Sequence, residues 1–407
     1  MKKKLLIIKQ LWDPEPTAKS LDFARQMCLE GFEVEVLTAY PNYPIGKIYD
    51  GYKQKLWTIE YMYGIKVIRV PIFPQHSSKA LKRIIGYSSF AFTASLLGPF
   101  LCKKPDLIFA YQGAITIGIP AQILSGIYNV PYVYDINDLW PESVYASGML
   151  TNKIAISCIK KWNDFNLRKA KHITVATEGF KNSIQAQGVC ENKISIISNW
   201  SRDQFSNDVL SIQERNRLMG SDCFNILYAG NLGIVQSLYS VLDGMNSLHK
   251  SSCKVNLILL GDGAERSRLV EYVEENNIPN VTFLQRVSSK EVSKYLNSAD
   301  ALLVHLKKHE LFERTIPSKI LSYLRTSKPI LCGLKGNAAE LVVKAKAGIC
   351  FEPDNPKDFH SAVVCLIESL NLKETHLYNG GRDYYNRNLS IEIAASKFAR
   401  LFNEFLF

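Results

Sequence analysis

Phe224-Asn-Ile-Leu-Tyr-Ala-Gly-Asn-Leu-Gly233 and Val255-Asn-Leu-Ile-Leu-Leu-Gly-Asp-Gly263 decide the fold. Each is a short apolar run that ends on glycines and opens into a stretch able to form a helix. Apolar runs of this length without alternation are strands covered on both faces, which points to parallel sheet. Downstream, Val281–Leu284, Ala301–His305 and Pro329–Cys332 repeat the pattern. Upstream it recurs at Leu5–Ile8, Glu33–Leu37, Leu107–Ala110, Tyr132–Asp135 and His172–Ala176, with an amphipathic segment at Ala18–Glu30. The two sets are separated by Asn199–Ser221, which is polar and irregular.

The expectation is an α/β chain of two Rossmann-like, doubly wound domains facing across a cleft. The first covers residues 1–200 and the second 201–384. A Phe- and Ala-rich helix near Ile391–Phe407, within 385–407, is expected to pack back on the first domain. In such a layout ligands bind outside the carboxyl ends of the strands, so the residues just past each strand carry the chemistry.

Composition sets the outer limits. The 407 residues are 47% apolar and 21% charged, ordinary values for a globular protein with full cores and unlike a disordered or fibrous chain. The formal charge of +11 is uneven: residues 1–200 hold 24 Lys+Arg against 15 Asp+Glu, and the remainder 25 against 23. A basic first half attracts anionic partners, whether phosphorylated substrates, lipid surfaces or nucleic acid. Nine scattered cysteines with no C-x-x-C pair read as reduced thiols of the cytoplasm. Met1-Lys-Lys-Lys4 followed by Leu5–Ile8 imitates a secretion signal, but the apolar run stops at Lys9, so it reads as a buried first strand.

Ile84–Cys102 contains no charged residue and is bracketed by Lys79, Lys82 and Arg83 on one side and Lys103 and Lys104 on the other. Its length reaches the lower limit for a membrane-spanning helix, while its serines, its glycines and Pro99 argue against insertion. A helix lying on an anionic membrane surface and a plainly buried helix both remain open.

The glycine turns Gly230–Gly233 and Gly261–Gly263 let backbone N–H groups approach a diphosphate beside a helix N-terminus. Without a third glycine at the dinucleotide spacing, NAD is not expected. Leu311-Phe-Glu-Arg-Thr-Ile-Pro-Ser-Lys-Ile320 follows another strand; Pro317 and Ser318 suit a helix start, and Lys319 can pair with phosphate. In the first half, the strand ending at Asp135 runs into Ile136-Asn-Asp-Leu-Trp-Pro-Glu142. Carboxylates Asp135, Asp138 and Glu142 there can orient an acceptor hydroxyl or take its proton; equally, Asp138 can cap a helix and Trp140 fill the core. No H-E-x-x-H, Cys/His set or D-x-D occurs, so neither a metal nor another cofactor is expected, and neither P-loop nor nucleophile elbow is present.

The chain resembles glycosyltransferase family 4, and within it bacterial O-antigen and capsule enzymes similar to N-acetyl-L-fucosamine transferases. The resemblance covers nearly the whole chain and rests on Asp13-Pro-Glu-Pro-Thr-Ala18, Pro41-Asn-Tyr-Pro-Ile-Gly46, Gly51-Tyr52, Asp138-Leu-Trp-Pro-Glu-Ser143, Tyr228–Gly233, Gly261–Gly263 and Ile316-Pro-Ser-Lys319. It implies a GT-B architecture and retaining, metal-independent transfer from a UDP-sugar on the second domain. The implied acceptor is a saccharide on polyprenyl diphosphate, held by the first domain at the inner face of the membrane. It further implies that Gly230, Asn231 and Gly233 lie against the diphosphate, that Gly261, Asp262, Gly263 and Arg286 flank the nucleotide, and that Pro317, Ser318 and Lys319 approach sugar and phosphates. Asn137 and Asp138 fall where relatives place a His-Asp or Arg-Asp pair at the reacting carbon, with Glu142 nearby. The family's two glutamates eight residues apart correspond to Arg314 and Ser322, and its phosphate-binding Arg and Lys to Asn231 and Gln236. That leaves Lys319 and Arg286 as the cations. A glycine-rich first loop is replaced by Pro14–Ala18, where Thr17 and Lys19 are the remaining candidates. Two other readings compete: a UDP-N-acetylhexosamine 2-epimerase-like enzyme of the same fold, and a basic nucleic-acid-binding protein. The latter has no aromatic-basic reader motif, so nucleic acid is not the expected partner.

Overall fold

A computed structural model describes residues 2–75, 80–142, 152–201, 205–288, 290–374, 376 and 378–406, with side chains of 80–82 excepted. Two compact units divide the chain: Met1–Asn199 with Ile391–Phe407, and Trp200–Ser390.

The first unit is built on an eight-stranded sheet ordered β3-β4-β2-β1-β5-β6-β7-β8. Its strands are β1 (Lys3–Ile8), β2 (Phe32–Ala39), β3 (Thr58–Met62), β4 (Ile65–Val70), β5 (Leu107–Gln112), β6 (Tyr132–Ile136), β7 (His172–Val175) and β8 (Ile194–Ile196). All pairings are parallel except β3 with β4. Central β1 sits between β2 and β5, with Ile7 opposite both Val36 and Phe109. Its residues Leu5–Ile8 are buried on both faces, as the unbroken apolar run requires. Helices α1 (Leu21–Leu29), α2 (Ala80–Leu101), α3 (Gly118–Tyr128), α4 (Lys153–Lys169) and α5 (Glu178–Gln185) connect the strands. The expected helix at Ala18–Glu30 starts only at Leu21, because Lys19 adopts a left-handed φ of 49° that no helix continues.

The C-terminal helix Ile391–Glu404 belongs to this unit. Phe398 meets Phe23 and Phe109 at ring-centroid distances of 5.2 and 5.4 Å, and Phe402 meets Phe109 and Phe32 at 5.5 and 6.0 Å. Such an aromatic cluster anchors a terminal helix through buried area and edge-to-face contact. Residues 385–390, grouped with that helix in the sequence reading, fall in the second unit instead. Residues 385–388 close helix Gly381–Asn388, whose Tyr385 hydroxyl accepts from Ser201 N (3.1 Å) while Arg382 donates to Arg325 O (2.7 Å).

The second unit has a six-stranded, wholly parallel sheet ordered β11-β10-β9-β12-β13-β14. Its strands are β9 (Phe224–Ala229), β10 (Val255–Leu260), β11 (Val281–Leu284), β12 (Ala301–His305), β13 (Ile330–Gly333) and β14 (Gly348–Cys350). β9 and β10 run in register from Phe224 opposite Val255 to Ala229 opposite Leu260, so their glycine turns emerge side by side. The polar stretch before β9 contains a helix, Ile212–Met219, opened by a capping box in which Ser211 and Glu214 satisfy each other's backbone N–H.

Candidate functional site

In the second unit the chain order reverses at β9, which has β10 on one side and β12 on the other, the point where open α/β sheets leave a crevice. The two glycine turns interlock there. Gly230 N donates to Leu260 O (2.8 Å), Leu232 N to Asp262 O (2.9 Å) and Glu265 N to Leu232 O (2.9 Å). Gly261 has a φ of +151°, and a Cβ at that position would lie 1.9 Å from Gly230 O. Only glycine permits that crossing. Gly230, at φ +136°, leaves its open side to Lys319, whose Cε would be 2.6 Å from an added Cβ.

Lys319 arrives on helix Ser318–Leu324, after β12. Its Nζ sits 3.6 Å from the centroid of the Tyr228 ring and contacts the Tyr228 hydroxyl, which itself donates to Asn231 O (2.7 Å). Solvent still reaches Lys319 in part, but protein surrounds its amine, and desolvation lowers it to about 7. Among the described residues no carboxylate pairs with it. A pocket of about 330 Å³ opens above, with Gly230, Asn231, Gly261, Asp262, Arg286 and Lys319 on its walls and Ala229, Leu260, Val287 and Val292 as an apolar lining.

Other residues proposed from the sequence stand behind this pocket. Gln236 braces the first turn: its Oε1 accepts from Gly233 N (3.0 Å) and Asn231 Nδ2 (3.2 Å). Gly263 packs against the other turn, where a Cβ would meet Leu232 O at 2.3 Å. Pro317 holds the N-cap position and Ser318 already lies in the helix, so neither caps it with a side chain. Ser322, at the family's ribose position, is buried with its hydroxyl 3.2 Å from Ser201 Oγ and does not line the pocket. Tyr228 was not singled out from the sequence because an aromatic inside a buried strand looks like core filling.

The first unit has its own switch point at β1 and β5, and a pocket of about 230 Å³ lies at their carboxyl ends. Lys9, Gln10 and Leu11 follow β1, Gly113 and Ala114 follow β5, and Asn42, Tyr43, Arg83 and Tyr87 complete the polar wall together with Thr17. Glu15 fixes the neighbouring loop by accepting from Trp12 N (2.9 Å), Asn42 N (2.7 Å) and Tyr43 N (2.8 Å). Burial raises its carboxyl above the usual range.

Asp135 is not available to an acceptor. It is fully buried, receives Lys19 Nζ at 2.9 and 2.7 Å, Thr174 Oγ1 at 2.6 Å and Asn137 Nδ2 at 2.8 Å, and so acts as a structural anchor. Lys19, a donor-loop candidate in the sequence, is consumed by the same pair. Asn137 is therefore turned inward to Asp135, while the backbone N–H groups of Asn137 and Asp138 lie 3.3 and 3.4 Å from Gln112 Oε1. Asp138 remains solvent-accessible but ringed by protein; desolvation, offset in part by Arg83, raises it to about 6. The helix that Asp138 was expected to cap lies largely outside the described residues. Glu142 Oε2 and Trp140 Nε1 are buried without a partner among the described residues; Ser143 lies outside them. No group of three or more His, Cys, Asp or Glu able to hold a metal occurs among the described residues.

Two units of this kind, each a parallel α/β sheet with a strand-end pocket, make up the GT-B class of glycosyltransferases. Residues 17–200 match the glycosyl transferase 4-like domain, and residues 223–369 match the glycosyl transferases of group 1. The chain belongs to this group 1, family 4-like lineage of glycosyltransferases and is an enzyme of that class. Over 97% of its length it is 23% identical to WcaI of Escherichia coli strain K12, named for colanic acid biosynthesis, 98% of which is covered. Sucrose-phosphate synthase from Thermosynechococcus elongatus shares the fold with a TM-score of 0.73 at 15% identity, covering 99% of both chains. So does Anabaena HepE, solved in complex with UDP-glucose, with a TM-score of 0.66 at 13% identity, covering 98% of this chain and 99% of that one.

Proposed function

We propose that the enzyme transfers a sugar from a UDP-sugar to an acceptor hydroxyl during synthesis of a cell-surface polysaccharide, with retention and without a metal. The observation that carries this reading is the second-unit pocket, where two interlocked glycine turns meet a lysine that has no carboxylate partner among the described residues. Backbone N–H groups and the Lys319 ammonium would stabilise negative charge on the departing UDP, the task a divalent cation performs elsewhere. Arg286, exposed on the pocket wall, adds a second positive charge. On the first unit Asp138, raised to about 6, is the carboxylate that orients the acceptor hydroxyl or takes its proton. The acceptor in this reading is a saccharide on polyprenyl diphosphate at the cytoplasmic membrane face, and N-acetyl-L-fucosamine is the first sugar to try. HepE, crystallised with UDP-glucose, supports the donor class, and the name of WcaI supports the pathway class.

A thermal-shift screen of nucleotides and nucleotide sugars in EDTA tests it, since a ligand selective for the folded state raises the melting temperature by mass action. UDP or a UDP-N-acetyl-deoxyhexosamine is the expected best hit, with the shift abolished by Gly230→Val. UDP release must then depend on a lipid-linked acceptor. Turnover of UDP-N-acetylhexosamine alone would replace transfer with epimerisation.

A further inference from the structure

Helix α2 has two unlike faces. Phe90, Ala91 and Ala94 are buried against the first unit, and a Cβ on Gly98 would lie 3.1 Å from Leu37 and Leu124. On the opposite face Ile84, Ser88, Phe92, Leu96 and Phe100 recur every four residues and are exposed, with Phe92 66%, Leu96 55% and Phe100 84% accessible. Helix α3 runs alongside in the same direction. Thr116 Oγ1, just before it, donates to Tyr87 O (3.2 Å), and Tyr128 at its end donates to Cys102 O (2.9 Å). It adds Ile123 and Ile127, 40% and 58% exposed. Residues 84–102 and 107–134 contain no charge at all.

Charge gathers at the borders of this apolar strip. Lys103 and Lys104, both exposed, close the end of α2, with Asp106 beside them bound to the backbone of Lys4 (2.7 Å). Beyond α3, helix α4 is held by Trp162 Nε1 to Ile115 O (3.3 Å) and by Gln122 Nε2 to Asn166 Oδ1 (2.6 Å). It presents Lys153, Lys160, Lys161, Arg168 and Lys169, all exposed, against a single acid, Asp164.

We propose that the outer face of α2 and α3, with the basic border of α4 and Lys103–Lys104, is a docking surface for an anionic lipid bilayer. An apolar strip without charge fits the acyl boundary, and lysines along its edge fit the phosphate layer. Because the inner face of α2 is packed into the sheet, the helix lies along the interface and does not cross it. A second protein copy would suit the apolar strip but leave the basic border facing like charge. This surface deepens the proposed function, since it would hold the enzyme where a lipid-linked acceptor resides.

The test is co-flotation of the full chain with phosphatidylcholine vesicles, with and without about 30 mol% phosphatidylglycerol, in metal-free buffer. UDP-induced thermal shift is recorded on the same samples. Binding to the anionic vesicles is expected. Lys103→Gln/Lys104→Gln/Lys160→Gln/Lys161→Gln should weaken it by roughly several hundredfold, at about fivefold per basic residue. Phe92→Ser/Leu96→Ser/Phe100→Ser should weaken it comparably and leave the UDP shift unchanged. Absence of flotation, flotation of either variant equal to that of the wild type, or concentration-dependent dimerisation lost in the apolar variant would each overturn the proposal. A lost UDP shift with intact flotation would count against the donor reading alone.

Discussion

Lys19 and Lys319 both lie in the loops and helix starts that follow strands, one in each unit, and their surroundings differ in a way that separates structure from function. Lys19 is buried with Asp135, whose remaining acceptor capacity is taken by Thr174 and Asn137. Lys319 is surrounded by protein but faces an aromatic ring and two glycine turns, and desolvation disfavours its charge. A cation that already has its anion holds a fold together; a cation kept without one is poised for an anionic ligand.

Removing Lys19 should therefore have the largest effect on stability. Lys19→Met leaves a buried carboxylate uncompensated and should cost about 3–5 kcal/mol in denaturant unfolding. The double variant Lys19→Met/Asp135→Leu should recover most of that loss. Lys319→Met should do the reverse, keeping or slightly raising stability at neutral pH while weakening UDP binding by roughly a hundredfold, about 3 kcal/mol for a charge-assisted contact. The titration of Lys319 sharpens the contrast. Its folded-state value is lowered to about 7 and a bound diphosphate would raise it again, so UDP binding takes up a proton. Affinity should be full below about 7 and fall by up to roughly tenfold per pH unit above it, a trend that Lys319→Met removes. Asp138→Asn should lower turnover by about 10²–10⁴ with little change in UDP affinity, and wild-type turnover should decline below about pH 6 as Asp138 is protonated. Arg286→Gln, on the open pocket wall, should have the smallest effect, weakening UDP by about fivefold.

The sequence revealed the second unit better than the first for a physical reason. β9, β10 and β12 are short, almost wholly buried strands whose apolar runs start and stop where the sheet does, and glycines mark the ends of β9 and β10. The antiparallel β3 with β4 escaped notice because Thr58–Met62 alternates partly exposed residues around Gly64 and has no long apolar run. The helix Ile212–Met219 carried its signal in Ser211 and Glu214, a capping pair inside a stretch otherwise polar enough to pass for a linker.

At the site, residues close in sequence were legible as groups, whereas partnerships across the sheet were not. Gly230, Gly261 and Lys319 are brought together by β9, β10 and β12. No local pattern shows that Asp135 spends its carboxylate on a lysine 116 positions earlier, which is why it looked available for an acceptor. Gln236 likewise reads as a ligand contact until the turn closes on its amide.

The most direct test is calorimetric titration of UDP, in EDTA, into the wild type and Lys319→Met at several pH values from about 7 upward. The account predicts metal-free binding by the wild type with proton uptake, and affinity that falls with pH until it approaches the weak, pH-independent binding of the variant. Equal affinity of the two proteins, or wild-type binding that appears only with a divalent cation, would contradict it.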